Sequence, residues 1–446
     1  MRSRYSRFAL RDSRVRFGVM AMALLTMGAA VVWPRSASRA AASPASDGFT
    51  ELADRDTQIR VWHQALDADP KSAVALGRLA ALHLQRAREG GGWADYLEAE
   101  SYSRRSLAVR VHRNGSTAVT LASALLAQHR FAEAFDVART LVEREPDVPQ
   151  YRALLGEVAM ELGRYDVAGA MLDSLWAERT QLSIAPRLAR WHELNGRVAA
   201  ARSVLERARD EAMGRRDVPR ETKSWFHWRV GDLAMRSGKL RDAREAFDEG
   251  LAIEPKDPRL LGAMARLAAV AGEPRLAIEL GQRAIASELD PATLGVISDA
   301  YAAVGAPAKA SEFRRAMEAS VSGETGPFHR AWSLYLLDHR LRVDDVLRMA
   351  TDDLRQRRDV YGWDLHAWAL HAAGRDSEAA ASMHAALALA TPDATLWFHD
   401  GMIARARGDD GHARASLERA LSLNSHFHPT QPAEARAVLD SLKRGR

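Results

Sequence analysis

Cysteine is absent from all 446 residues of the sequence, and its absence excludes several kinds of chemistry. A chain without thiols forms no disulfide, no zinc–thiolate site and no cysteine nucleophile. It also offers no N-terminal cysteine for a lipid anchor. Any fixed structure must therefore be held together by packing and hydrogen bonds.

Signatures of catalysis are missing as well. The sequence has no Gly-x-Ser-x-Gly elbow, no glycine-rich loop between a strand and a helix, and no strand-like alternation. Paired acids such as Asp344-Asp345 and Asp409-Asp410 fall at helix starts or turns, where carboxylates cap helices and favour the helix dipole. We predict that the protein is not an enzyme and uses no cofactor.

Basic charge is concentrated at one end of the chain. The formal net charge is +5, but residues 1–42 contain eight arginines and a single acid, Asp12. The rest of the chain has 55 basic and 57 acidic residues and is close to neutral. A nucleic-acid partner is therefore not expected, because it would require a basic surface on the folded part.

Residues 1–42 have the parts of a targeting segment: arginines, the apolar run 17–33 and a stretch of small residues. The run is as long as a short membrane-spanning helix, so the segment is either a cleaved signal peptide or a retained anchor that makes the membrane a partner. The arginines should stay in the cytoplasm, which predicts an extracytoplasmic location, periplasmic or at the cell surface, for the remainder. Residues 43–55 are predicted to be a flexible linker.

A period of about 34 residues organises most of the chain. Glycines follow apolar helical segments at Gly163, Gly196, Gly238, Gly272, Gly305, Gly374 and Gly408, and His129 and His339 occupy two further positions of the same phase. A residue with positive φ is needed where a helix ends and the chain reverses, and glycine adopts it most easily.

Two columns of small residues accompany this period. Five positions after the glycine the residue is alanine in eight of nine copies, with Asp344 as the exception. Seven positions before it the residue is small except at Trp332. Helices approach closely only where the facing side chains are small, so these columns predict the crossing points of antiparallel hairpins.

These residues resemble the tetratricopeptide-repeat family, whose pattern is best met by Trp228, Gly231, Ala243, Phe247 and Pro255. The resemblance implies an all-α fold, a right-handed superhelix or α-solenoid of about ten hairpins over residues 56–431. Copies are expected to start near residues 73, 115, 149, 182, 224, 258, 291, 325, 360 and 394. Residues 432–446 are predicted to form a capping helix with a basic tail.

In such proteins the first helix of each pair lines a concave wall that binds a protein or peptide partner. Carried onto this sequence, the resemblance implies a partner-binding wall of Arg190, Trp225, Trp228, Asp232, Arg236, Arg266, Asp299, Arg330, Tyr361, Asp364, Trp368, His371, Phe398 and Arg405. Arginine and aromatic residues are enriched at protein contacts. The alternative for Trp228 and Trp368 is packing between hairpins.

Histidines suggest a second hypothesis. Seven of the 15 lie in the last 81 residues, and His426 and His428 are close enough in sequence to share a metal. Most histidine spacings do not suit a helix-borne site, so we predict no metal and keep these two as weak candidates. The favoured function is a non-catalytic interaction scaffold in the cell envelope, and the alternative is metal or small-ligand handling by the C-terminal repeats.

Overall fold

Nearly every described residue is helical, because each copy of the repeat supplies two stretches whose apolar residues recur at helical spacing. The structure is a computed structural model that describes residues 44–322 and 330–444. The predicted leader, residues 1–42, lies outside these ranges, as do residues 445–446 of the basic tail. The all-α prediction is confirmed: the described chain contains 22 α-helices and no strand.

Twenty of these helices pair into ten hairpins, numbered here repeats 1 to 10, whose first helices begin within five residues of the predicted starts. The first helices are α2 (Ala73–Arg86), α4 (Gly115–Ala127), α6 (Pro149–Glu161), α8 (Ala185–Leu194), α10 (Arg220–Arg236), α12 (Pro258–Val270), α14 (Pro291–Ala303), α16 (Arg330–Asp338), α18 (Val360–Ala372) and α20 (Ala394–Ala406). The second helices are α3 (Trp93–Val109), α5 (Phe131–Arg144), α7 (Tyr165–Leu172), α9 (Val198–Gly214), α11 (Leu240–Ile253), α13 (Pro274–Ile285), α15 (Pro307–Ser322), α17 (Val343–Asp353), α19 (Asp376–Ala386) and α21 (Asp410–Leu423).

Single helices flank the repeats: α1 (Pro44–Ala68) precedes them and α22 (Gln431–Arg444) follows them. The linker predicted at residues 43–55 is corrected by α1, which is helical from Pro44. Ile59 and Leu66 of α1 are buried in one cluster with side chains of α2, and this packing stabilises a helix whose first half has weak apolar character. Within the described residues, no helix has both the length and the apolar content that crossing a bilayer requires.

The link between the two helices of a repeat, called the hairpin turn here, has the predicted backbone in most copies. The seven predicted glycines have φ between 70° and 78°, and His129 has φ 55°. In repeat 8 the reversal occurs at Arg340 (φ 53°) and not at His339. The Arg340 N–H donates to the Leu337 carbonyl at 3.0 Å, as the N–H of Gly238 donates to Met235 in repeat 5.

This one-residue shift of the turn accounts for Trp332 and Asp344, the two exceptions in the small-residue columns. Counted from Arg340, the residue seven positions earlier is Ser333, which is completely buried, and not Trp332. Relative to its turn residue, helix α17 also begins one residue later than the second helices of the glycine-containing turns. The fourth residue of the helix is therefore Val346. Val346 is fully buried and takes the place that Asp344 was expected to fill.

Close helix crossings are present where the sequence places glycine in the first helix. A Cβ atom built on Gly156 would lie 2.6 Å from Leu172 Cγ, and one on Gly231 would lie 2.4 Å from Phe247 Cε1. Both distances are far below a van der Waals contact. The two helices of these hairpins can therefore pack this closely only because glycine has no side chain at these positions.

The superhelix is wound tightly enough for its own edges to meet. Links between successive repeats, called connections here, contact hairpin turns that precede them by 189 to 197 residues. The Val360 N–H donates to Tyr165 Oη (2.7 Å), Thr391 Oγ1 to the Leu194 carbonyl (2.8 Å), and Asn424 Nδ2 to the Met235 carbonyl (3.0 Å). The hairpin turn of repeat 3 thus lies against the connection before repeat 9, and that of repeat 4 against the connection before repeat 10. The hairpin turn of repeat 5 lies against the segment that follows repeat 10.

Candidate partner-binding surfaces

Charged side chains of the first helices of repeats 4 to 6 pair with one another from repeat to repeat. Glu193 accepts hydrogen bonds from Arg229 (2.6 Å) and Arg236 (2.5 Å). Asp232 accepts from the same two arginines at 3.2 and 3.1 Å and lies 3.6 Å from Arg266. Burial opposes ionisation of both carboxyls, but the arginines outweigh it and lower the pKa of Glu193 and of Asp232.

A second group of paired charges crosses repeats 8 to 10. Asp364 has no solvent exposure, accepts a hydrogen bond from Arg330 at 2.5 Å, and lies 2.7 Å from Nδ1 of His399. Burial raises the pKa of Asp364, but His399 and Arg330 together lower it below its usual value. Asp364 is thereby held as a buried carboxylate between two repeats.

Tyr361 connects the two charged groups. The guanidinium carbons of Arg190 and Arg330 each lie 5.0 Å from the centre of its ring, a cation–π distance. Its hydroxyl donates to Asp393 at 3.3 Å. Burial and the charge of Asp393 raise the pKa of Tyr361, which keeps the hydroxyl protonated. Since Arg190 belongs to repeat 4 and Tyr361 to repeat 9, this contact also joins successive superhelical turns.

Predicted aromatic contact residues are largely taken up by packing. The Trp368 ring stacks with the rings of His371 and His399, at centroid distances of 4.9 and 4.1 Å. Phe398 is fully buried. Trp225 and Trp228 are half-buried with their ring centroids 6.1 Å apart. The alternative prediction for Trp368, packing between hairpins, therefore describes this residue well.

The other predicted residues already have partners on this chain. Asp299 lies 2.9 Å from His339 Nε2. His371 Nδ1 lies 2.5 Å from Asp376, and the exposed Arg405 donates to Asp410 at 2.6 Å. A partner-binding role for the 14 predicted residues stays a prediction, and it would require most of them to exchange internal contacts for external ones.

The histidine loop is organised by local hydrogen bonds. His426 Nδ1 lies 2.9 Å from Ser425 Oγ, and His428 Nδ1 accepts from the N–H of Thr430 at 3.3 Å. Over residues 44–322 and 330–444, no group of three or more histidine, aspartate or glutamate side chains is arranged to hold a metal ion.

An open groove lies between the first helices of repeats 1 and 2, where the sequence predicted no contact residue. The side of the superhelix that the first helices form is called the inner face here. The volume of the groove is about 420 Å³. The lining includes Val74, Gly77, Arg78 and Ala81 from α2, Arg110 from the connection, and Ser116 and Thr120 from α4.

Among residues 44–322 and 330–444, no carboxylate neutralises the positive charge of this groove. Arg78 and Arg110 are exposed, and within the part of the chain that the structure describes neither forms an ion pair. No acidic residue lines the groove. Asn114 fixes the connection by donating to Ser106 and Arg110 carbonyls at 3.3 and 3.1 Å. The sequence did contain a signal for this groove, the basic stretch 110–113. Because that stretch has no aromatic residue, it did not resemble a contact surface.

Comparison with known proteins finds a family match in two parts of the chain. Residues 119–179 and 231–292 match the tetratricopeptide repeat family model, which places matches in repeats 2 and 3 and in repeats 5 and 6. No curated protein matches the sequence.

Several solved structures resemble this chain at low identity. The human IFIT1 dimer with m7Gppp-AAAA is 16% identical, covers 77% of this chain and 79% of its own, and has a TM-score of 0.48. Yeast Tom70 is 10% identical, with coverages of 90% and 94% and a TM-score of 0.38. PilF of Pseudomonas aeruginosa is 14% identical, with coverages of 50% and 97% and a TM-score of 0.38. We infer no ligand or partner from these similarities.

Proposed function

We propose that this tetratricopeptide-repeat protein is a non-catalytic interaction scaffold that binds a protein or peptide partner in the groove of repeats 1 and 2. The observation that carries the proposal is a contrast along the inner face. In repeats 4 to 10 its charges are paired internally, whereas Arg78 and Arg110 in the groove have no carboxylate partner among the described residues.

The lining of the groove suggests the chemistry of its partner. A Cβ on Gly77 would lie 2.7 Å from Thr117 Oγ1, so Gly77 lets α4 pack closely on α2. Ala81, one helical turn further on, is small and exposed, so a peptide backbone can approach the helix closely there. Ser116 offers a hydroxyl along α4 for hydrogen bonds to that backbone, and Thr120, whose hydroxyl donates to the Ser116 carbonyl at 3.1 Å, can accept one. Two arginines at the side of the groove favour a partner segment that carries Asp or Glu.

The location belongs to the same proposal. Residues 1–42 have the arrangement of an export signal or anchor, and we propose that the repeats lie outside the cytoplasm, held at the membrane if the leader is retained. Fusion of the full chain to a reporter enzyme active only outside the cytoplasm tests this location. Activity is expected, and an active cytoplasmic reporter would contradict the location without bearing on the groove.

Crosslinking in native membranes tests the groove. The full chain should recover a specific partner, and Arg78→Glu or Arg110→Glu should reduce that recovery at least about tenfold, because each places a like charge beside an acidic segment. Arg216→Glu is the matched control: Arg216 is also exposed and carries the same charge, but it lies in the connection before α10. Undiminished recovery with both groove variants, checked for folding by circular dichroism, would contradict the proposal.

A further inference from the structure

A second opening, called the C-terminal cleft here, lies between the first helices of repeats 8 to 10 and α22. Its volume is about 140 Å³, far more than one water molecule needs. Its walls come from the ends of α16 and α18, from α20, and from the segment that leads into α22. Trp368 and His371, two of the residues predicted to bind a partner, line it.

One carboxylate oxygen in this cleft accepts no hydrogen bond. Trp368 Nε1 and Gln431 Nε2 both donate to Oδ1 of Asp338, at 3.1 and 3.2 Å. These bonds hold the carboxylate in place, and no donor among the described residues reaches its Oδ2 atom. His428 Nε2 lies 3.8 Å from Oδ2, beyond hydrogen-bond distance. The Asp338 side chain is 23% exposed, so a ligand can reach it.

Gln431 provides a second acceptor that is not used. The residue is 5% exposed, and no described atom donates to its buried Oε1. The orientation of the amide is set, since only Nε2 can donate to the Asp338 carboxylate. The amide oxygen therefore lies beside Asp338 in the wall of the cleft. Such buried oxygens are uncommon, because native structures pair almost all of their buried polar atoms.

The histidines of the cleft do not supply the missing donors. His428 Nδ1 accepts hydrogen bonds from the N–H groups of Thr430 and Gln431, at 3.3 and 3.4 Å, so the proton of the neutral ring is on the distant Nε2. Burial lowers the pKa of His428, although the charge of Asp338 opposes this effect. His371 is turned toward Asp376, which lies 2.5 Å from its Nδ1.

Negative charge exceeds positive charge in the lining. Glu434 is exposed and forms no ion pair with another described residue. Arg340 is the only arginine or lysine among the described residues that line the cleft. With Asp338 and neutral histidines, the lining has two negative charges and one positive charge. The apolar part of the lining consists of Leu337, Trp368, Ala372 and Met402.

We propose that the C-terminal cleft binds a primary ammonium group on a short aliphatic chain, as in the side chain of lysine or in a free alkylamine. An ammonium group has three N–H donors and no acceptor, which matches the unused oxygens of Asp338, Gln431 and Glu434. Its charge offsets the excess negative charge, and its carbon chain can lie on the apolar part of the lining. Gln431 Oε1 is covered in the free protein, so its contact with the ligand involves a small movement of this side chain.

Titration of the full chain in detergent with n-butylammonium chloride tests the proposal. Binding is followed through the indole N–H resonance of Trp368, which donates to Asp338 and is assigned with Trp368→Phe. A Kd on the order of 1 mM is expected for so small a ligand. The N,N,N-trimethyl derivative has the same charge but no N–H donor, so it should bind at least about tenfold more weakly.

Two substitutions test the oxygens that the proposal names. Asp338→Asn keeps an acceptor for Trp368 and Gln431 but removes the charge, so the affinity for n-butylammonium should fall at least about tenfold. Glu434→Gln changes an exposed residue, should fold normally, and should lower the affinity about threefold. Glu418→Gln is the matched control: Glu418 is also exposed without an ion pair among the described residues, but it lies on α21, outside the cleft.

The site is separate from the groove of repeats 1 and 2, so Arg78→Glu should leave the affinity for n-butylammonium unchanged. A second probe, Nα-acetyl-lysine amide, distinguishes the two sources of the ammonium group. It should bind more tightly than n-butylammonium if the ligand is a lysine side chain of a polypeptide, and more weakly if the ligand is a free alkylamine.

Three results would overturn the proposal. The first is a wild-type chain that binds neither probe at concentrations far above the expected Kd. The second is a trimethyl derivative that binds as tightly as n-butylammonium, because the N–H donors would then play no part. The third is an effect of Glu434→Gln that is no larger than that of Glu418→Gln.

Discussion

Single residues hold this superhelix together in two ways, by leaving space and by neutralising charge. Gly156 and Gly231 leave space where second helices cross. Glu193, Asp232 and Asp364 are carboxylates that arginine or histidine partners keep ionised despite burial. Removing one partner from such a pair would leave a buried charge, which costs more than the pair contributes.

Gly231→Ala should lower the free energy of unfolding by roughly 1–2 kcal/mol, because overpacking against Phe247 exceeds the gain in helix propensity. Urea unfolding followed by circular dichroism measures the loss. Gly214→Ala is the control, since no described atom lies within 4 Å of the new Cβ at that helical position. It should leave stability unchanged or raise it by up to about 1 kcal/mol. Equal effects of the two substitutions on stability would contradict close packing between Gly231 and Phe247.

Asp353 should make stability depend on pH. Burial raises the pKa of this carboxyl to about 6, with Arg357 opposing the rise. Because the folded pKa exceeds the unfolded one, the stability that the neutral form provides is complete near pH 4 and is lost as the pH rises through 6. Asp353→Asn should therefore unfold at a higher urea concentration than the wild type at pH 7.5.

That difference should shrink at pH 4.5, where the wild-type carboxyl is largely neutral. Asp352→Asn, at the exposed neighbouring position, is the control for the substitution itself. A constant difference between Asp353→Asn and wild type at both pH values would contradict the assignment.

At the scale of helices, the sequence predicted most elements from local signals. Glycines in the turns, prolines at the first positions of α6, α12 and α14, and alanines at crossings all act within one hairpin. Repeat 8 was misaligned because no glycine marks its turn and the positive φ lies at Arg340, one residue after the predicted His339. Only the first part of α1, residues 44–55, was predicted wrongly as a linker, since the part that packs on α2 through Ile59 and Leu66 lies within the predicted repeat region 56–431.

The corrected register of repeat 8 can be tested directly. Val346→Ala should cost roughly 1–3 kcal/mol, since Val346 is fully buried and the change leaves a cavity. Asp344→Ala should change stability by less than about 0.5 kcal/mol, because Asp344 is exposed at the start of α17. The reverse order of effects, measured by chemical denaturation, would restore the register inferred from sequence.

At the scale of the whole described unit, contacts between successive superhelical turns decide which surfaces are available. They connect residues nearly 200 positions apart and join α8 and α10 to elements of repeats 9 and 10. The buried core follows the same path, since Leu121, Leu205 and Phe226 share one cluster with Val360 and Ile403.

Thr391→Val should weaken this closure, meaning the contact between successive superhelical turns. The substitution removes the 2.8 Å hydrogen bond to the Leu194 carbonyl while keeping the shape of the side chain. The expected cost is about 1–2 kcal/mol, with faster hydrogen exchange confined to amides around residues 194–197 and 391–393. Thr351→Val is the control: its hydroxyl donates within its own helix, at an exposed site. Unchanged exchange in Thr391→Val would show that the closure does not depend on this contact.

The sequence by itself determined the repeat, its helices, its crossing points and the location of most turns, because these follow from interactions between residues fewer than about 35 positions apart. Tertiary structure alone decided which part of the inner face is open. The superhelical pitch is the sum of small rotations at every hairpin contact, and no local signal reports that sum. It brings Arg190 to Tyr361 and Asn424 to Met235, and it leaves Arg78 and Arg110 without a carboxylate among the described residues.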